Sequence, residues 1–225
     1  MTSIEAYNLF LKDYNEMNRH SEVVVSKADF VLLFNRDQRR FVEETVPAHN
    51  TGHEIQDLTS IMVPYQKLSA TSVRPKFVEF NLPDNFFRAI NSYSVCEKGA
   101  CKNVPVANSY KNIKPQDVET FLSDPNMGPS FEYQETLVTY MGNKMQVYKN
   151  DFAIKEQYVS YYKYPSDIDI AGSKKATGVL STDVPPELPD TLVEKIVDRV
   201  VKRVSGIYNN AEGFQIAQER IQSEP

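Results

Sequence analysis

The sequence predicts an α+β fold: N-terminal helices, a central antiparallel β-meander with an inserted hairpin region, and a C-terminal amphipathic helix packing on that core. Three observations carry this. Apolar residues recur every three or four positions near both ends of the chain, the repeat of an amphipathic helix. Between the ends lie short alternating runs punctuated by Gly99, Gly142-Asn143 and Asn150-Asp151, the chemistry of tight turns. Residues 190–204 then place Leu192, Val193, Ile196, Val197, Val200, Val201 and Val204 on one face. Glu194, Lys195, Asp198, Arg199, Lys202 and Arg203 fall on the opposite face.

Each element follows in order. Residues 3–18 form a helix with Ile4, Tyr7, Leu11, Tyr14 and Met17 on one side and Thr2 or Ser3 as its cap. Ser26-x-x-Asp29 opens a second helix carrying Phe30, Leu33, Phe34 and Phe41, with Arg36, Arg39 and Arg40 on the wetter side; it should end before Pro47. Ile55, Leu58, Ile61 and Met62 suggest a short third helix stopped by Pro64. Residues 76–80 are strand-like, and Leu82-Pro83-Asp84 opens a turn of helix. Residues 89–96 and 100–107 pair about Gly99, and a short helix covers 113–122 with Pro115 in its first turn.

Residues 136–141, 144–149 and 152–164 read as a three-stranded meander. Along its last strand Tyr158, Ser160, Tyr162 and Tyr164 point one way, and Val159, Tyr161 and Lys163 the other. Residues 166–183 read as a loop free to reach a neighbour. The final helix starts at Asp190 or Thr191, with Thr191-x-x-Glu194 as a capping box, and ends at Gly206 or runs on to 222. The divisions are therefore 1–65, 66–130, 131–165, 166–189 and 190–225, taken as one structural unit. Tyr158, Tyr161, Tyr162, Tyr164, Leu188, Pro189, Val193, Ile196, Val197 and Val200 are the expected core or interface residues. The meander and the last helix are expected to share one core through the Leu188-Pro189 corner.

Composition narrows the function. The 225 residues are 41% hydrophobic and 24% charged, the balance of a folded domain. Thirty acids against 25 bases give a formal charge of -5, so no global basic field draws the chain to nucleic acid or membrane. Thirteen Tyr residues suit surfaces that are half wet and half buried. No run of 18 apolar residues appears, and the first residues lack a signal-peptide pattern. Synthesis in the cytoplasm is expected, with no membrane partner.

Catalytic signatures are scarce. His49-x-x-x-His53 has metal-ligand spacing, but Asn50-Thr51-Gly52 between them favours a turn. Cys96 and Cys101 flank a hairpin turn and fit two reduced thiols, with a disulfide geometrically open. There is no G-x-S-x-G and no phosphate-cradling glycine loop. The pairs Glu43-Glu44 and Asp167/Asp169 fit surface acids. No catalytic residue, cofactor or metal is expected, and the chain reads as a non-enzyme.

Short motifs add a resemblance. Phe30-x-x-x-Phe34-Asn35-x-x-Gln38, Leu82-Pro83-Asp84-Asn85-Phe86, Tyr161-Tyr162-Lys163-Tyr164-Pro165 and Glu187-Leu188-Pro189-Asp190 before Val193-x-x-Ile196-Val197-Asp198 occur in this order. The arrangement resembles ring or head-to-tail connector (adaptor) proteins of crAss-like and related Bacteroidetes-infecting short-tailed phages. The resemblance implies a virion protein forming a ring of twelve copies that binds the portal and neighbouring ring or tail proteins. Genomic DNA would pass through the channel without sequence-specific binding. It also implies packing roles for Leu188, Pro189, Ile196 and Val197. The alternatives are another tail or neck component, such as a stopper or tail-completion protein, and a DNA-binding packaging accessory protein using the Arg36/Arg39/Arg40 face.

Overall fold

A computed structural model describes residues 1–17, 24–48, 55–124, 126–173 and 180–207, together with 215, 218, 219 and 221. In chain order the elements begin with α1 (Ser3–Met17), α2 (Lys27–Ala48) and a 3₁₀ helix (Ile55–Ile61). Next come β1 (Met62–Leu68), β2 (Ala70–Val73), β3 (Phe77–Asn81), β4 (Phe86–Lys98) and β5 (Cys101–Asn112). A 3₁₀ turn (Pro115–Asp117) leads into α3 (Val118–Ser123), then β6 (Glu135–Met141), β7 (Lys144–Tyr148), β8 (Ala153–Lys163) and α4 (Asp190–Ile207). The fold is α+β with a C-terminal helix. No helix among the described residues is long and apolar enough to cross a membrane.

Contacts divide the chain into two compact units, residues 1–61 with 164–225 and residues 62–163. The expectation of one structural unit, with the meander and α4 in a common core, is corrected here. The strands bury their apolar face against one another, and α4 packs instead on α1 and α2.

In the helical unit, Thr2 and Glu5 form a reciprocal capping box at α1: the Glu5 amide donates to Thr2 Oγ1 (3.3 Å) and the Thr2 amide to Glu5 Oε2 (2.7 Å). Ser26 caps α2 through the Asp29 amide (3.1 Å). The buried face of α1 is Ser3, Ala6, Phe10, Asp13 and Tyr14, rotated from the expected one, and Ile4 is 37% exposed. Ala6, Phe10 and Tyr14 repeat every four residues, and Phe10 stacks on Tyr14 and meets Phe30 of α2. Against expectation α2 continues through Pro47; so near the end, proline removes one backbone bond and interrupts no further turns.

The face of α4 is as expected, with Val193, Ile196, Val197, Val200 and Val201 fully buried. Its start differs. Asp190 is already helical and the Pro189 carbonyl accepts from the amides of Leu192 and Val193 (both 3.0 Å), so Thr191 is not the cap. Two ion pairs tie α4 to α2: Arg203 to the buried Asp37, and Arg199 to Glu44 (2.7 Å).

The segment after Lys163 is not a free arm. Asn35 of α2 donates to the Ile168 carbonyl (3.0 Å) and accepts from the Ile168 amide (2.8 Å), replacing a strand's two backbone bonds. Gln38 donates to the Ser166 carbonyl (3.0 Å), and Arg39 grips both oxygens of Asp167 (2.9 and 3.0 Å). Asp169 then pairs antiparallel with Val184, and Ser173 bonds Asp169 and Ser181. Buried Ile168 and Ile170 explain why this stretch is held. Residues 174–179 of the expected arm lie outside the described residues.

Residues 62–163 form one eight-stranded sheet in the order β1-β8-β4-β5-β6-β7-β3-β2. β1 and β2 sit at opposite ends of that order, yet only Ser69 separates them in sequence, so the sheet curls until its ends meet. One interior cluster accordingly draws Leu68, Val78, Phe80, Val138, Met145, Val147, Val159 and Tyr161 from strands at both ends. All pairings are antiparallel except β5 with β6, which are parallel and joined through α3. Val118 of α3 packs with Ile113, Leu137 and Tyr148 over the outer face of β6 and β7.

β6 and β7 form the expected hairpin, Gly142 supplying φ +59° at the turn. β8 does not continue it as a meander; it pairs with β4 and β1. The Asn150-Asp151 turn permits β8 to fold back on β7, but both edges of β7 are already taken, by β6 and β3. Two further expectations change. The short third helix is present as the 3₁₀ helix Ile55–Ile61, but it ends one residue before Met62, and Met62 and Pro64 both lie in β1. Residues 83–85, expected to open a turn of helix, are a turn from which β4 starts directly. Proline is admissible in β1 because this strand pairs on one side only.

Both cysteines are free thiols. Cys96 opposes Val104 in the sheet and is buried, whereas Cys101 opposes Lys98 and is exposed. Burial pushes the Cys96 thiol up to about 12, which suppresses the reactive thiolate. Titration of the native chain with an aromatic disulfide at pH 8 should modify Cys101 readily and Cys96 only after unfolding. Two equally fast thiols would contradict the buried placement.

Candidate interaction surface

The outer wall of β1, β8 and β4 carries the most distinctive exposed feature. Along β8 the alternation is as expected: Val159 and Tyr161 point into the barrel, and Tyr158 points out. Tyr158 lies directly opposite Tyr93 of β4, and the two rings stack with centroids 4.9 Å apart and planes 10° apart. Tyr65 of β1 meets Tyr93 edge-on at 6.0 Å.

Tyr65 is 59% exposed and has φ +46°, a left-handed conformation costing a non-glycine residue about 1–2 kcal/mol. The cause is a bulge between Val63 and Gln66, where Pro64 contributes no amide. The Tyr65 amide donates to Ser160 Oγ (3.1 Å), which fixes the bulge and turns the ring outward. Backbone strain held by a specific side-chain bond marks a position set by its surroundings.

Polar groups border the rings. Lys67 pairs with Glu156, and the Tyr158 hydroxyl donates to the same carboxylate (2.7 Å). Hydrogen bonds from Lys67 and then Tyr158 hold Glu156 below the usual carboxylate range. Bonding to Glu156 raises Lys67 and Tyr158. At neutral pH the border is thus a closed ammonium–carboxylate–phenol chain. Such an arrangement suits contact with another surface: aromatic area in the centre and satisfied polar groups at the edge.

The residues expected from the sequence separate into two places. Tyr158, Tyr161 and Tyr162 belong to the barrel, and of these Tyr158 joins the aromatic surface while Tyr161 and Tyr162 are buried. Tyr164, Leu188, Pro189, Val193, Ile196, Val197 and Val200 belong to the helical unit. Leu188 and the four α4 residues are buried, Pro189 and Tyr164 are half-buried, and the Tyr164 hydroxyl donates to Glu43 (3.3 Å). Tyr65 and Tyr93 were not singled out in the sequence, since a cross-strand stack appears only once register is known.

The paired acids have structural partners. Glu44 binds Arg199, Asp167 binds Arg39, and buried Asp169 accepts from the Ile170 amide (2.9 Å) and Ser173. His20, His49 and His53 lie outside the described residues. Among the described residues, no group of three or more His, Cys, Asp or Glu side chains is placed to hold a metal ion. Compared with models of known protein families and with curated proteins, the sequence gives no match.

Proposed function

We propose that this chain is a structural virion subunit that assembles into a ring in the portal-to-tail connector of a short-tailed phage, around the DNA channel. The observation that carries an assembly role is the Tyr65–Tyr93–Tyr158 surface. Rigid aromatic side chains with a polar border supply large contact area at low entropic cost, the make-up of interface hot spots. The motifs at 30–38, 82–86, 161–165 and 187–198 supply the kind of assembly by their resemblance to connector proteins. A ring needs a head-to-tail contact that closes on itself, and in this proposal the tyrosine surface forms one side of it.

The test is the mass of purified protein, alone and mixed with portal protein, for the native chain and the double variant Tyr65→Ala/Tyr93→Ala. The native chain should give a closed oligomer. The variant should weaken assembly at least about tenfold, equivalent to 1.4 kcal/mol, with thermal unfolding of the subunit retained. Assembly of the variant at the native concentration would remove the tyrosine surface from the interface.

A further inference from the structure

The helical unit contains a cleft of about 390 Å³ between α2 and α4, lined by Asp37, Arg40 and Glu44 on one helix, Arg199, Lys202 and Arg203 on the other, and Ile221 from beyond α4. Four cationic side chains face two carboxylates there, in a chain whose formal charge is -5. Both carboxylates are already committed. Asp37, only 2% exposed at its side chain, accepts from Nε (3.0 Å) and Nη2 of Arg203. Glu44 accepts from Arg199, whose guanidinium lies 5.0 Å over the Phe41 ring.

These pairs immobilise two guanidiniums without consuming all five N–H donors of either. Arg40 is exposed and has no ion-pair partner among the described residues. Arg36, likewise exposed and unpaired among the described residues, lies one turn earlier on the same face of α2, about 6 Å along the axis. The positive excess is therefore spread along a helix beside an open cleft. That suits successive anions on a chain better than a single small ion. Guanidinium groups bind phosphate through paired, coplanar N–H bonds.

We propose that this cleft binds the phosphodiester backbone of duplex nucleic acid without reading sequence, Arg36 and Arg40 making the contacts and the Asp37–Arg203 and Glu44–Arg199 pairs holding the walls in place. The site does not depend on ring formation, because every lining residue belongs to the helical unit of a single chain; assembly is read by mass and this site by titration. A ring that binds no duplex and a duplex-binding chain that forms no ring are separate results.

The test titrates the full chain into a labelled short DNA duplex across a salt series, with inorganic pyrophosphate as a competitor. Arg36→Gln/Arg40→Gln should lower affinity at least tenfold and reduce the slope of log K against log salt by about 1.8, the loss of two phosphate contacts. Lys12→Gln/Lys102→Gln makes the same charge change at exposed positions elsewhere and should alter neither quantity by as much as half. All four positions are exposed, so circular dichroism should be unchanged. Three results would overturn the proposal: no duplex binding, equal losses in the two double variants, or pyrophosphate binding without duplex binding.

Discussion

Val197→Asp is expected to abolish folding of the helical unit. Val197 has no exposed surface and lies on the α4 face that packs against α1 and α2. The substitution removes buried apolar area worth about 2 kcal/mol and places a carboxylate where nothing in the flanking apolar positions can pair with it, at a further cost of several kcal/mol. The sum, about 5 kcal/mol or more, matches the whole stability of many domains. Far-UV circular dichroism of the purified variant should show lost helix, and the protein should be prone to precipitate. Val197→Ile, which adds one methylene and no charge, should cost about 1–3 kcal/mol and leave the unit folded. A soluble Val197→Asp protein with native helix content would show that this face of α4 is not buried.

The second large effect is at Asn35. Replacement by Ala removes both hydrogen bonds to buried Ile168 and leaves an amide and a carbonyl without partners. At about 1–2 kcal/mol for each group, the loss is about 2–4 kcal/mol. Asn35→Asp keeps the acceptor but sets a carboxylate against the Ile168 carbonyl, so it should not rescue. Urea unfolding followed by hydrogen exchange at the Ile168 amide measures this. Lost protection at Ile168 with a lowered midpoint is expected; native protection in Asn35→Ala would show that the segment is held by other contacts.

Asn35 also shows where sequence reasoning stops. It was visible as part of Phe34-Asn35-x-x-Gln38, but its partner is 133 residues away and that of Gln38 is 128 away. Nothing local announces that two polar residues on a helix complete the backbone bonding of a distant strand-like segment. For the same reason residues 166–173 read as a free loop although they are anchored.

Features set by local chemistry were legible: the α4 stripe, the capping of α1 and α2, the Gly142-Asn143 hairpin and the alternation along β8. Features set by closure were not. Whether β8 lies beside β7 or between β1 and β4 depends on how the sheet meets itself, since the turn chemistry at Asn150-Asp151 permits both. The tyrosine surface follows from that choice, because Tyr93 faces Tyr158 only in the observed pairing. The outward aim of Tyr65 comes from a bulge and a positive φ with no residue-level signature of its own.

The mass of the purified native chain mixed with portal and neighbouring ring proteins tests the central claim most directly. A ring subunit gives a discrete closed oligomer, twelve copies by the resemblance to connector proteins, attached to the portal. A chain that stays monomeric with all of those proteins present would contradict it.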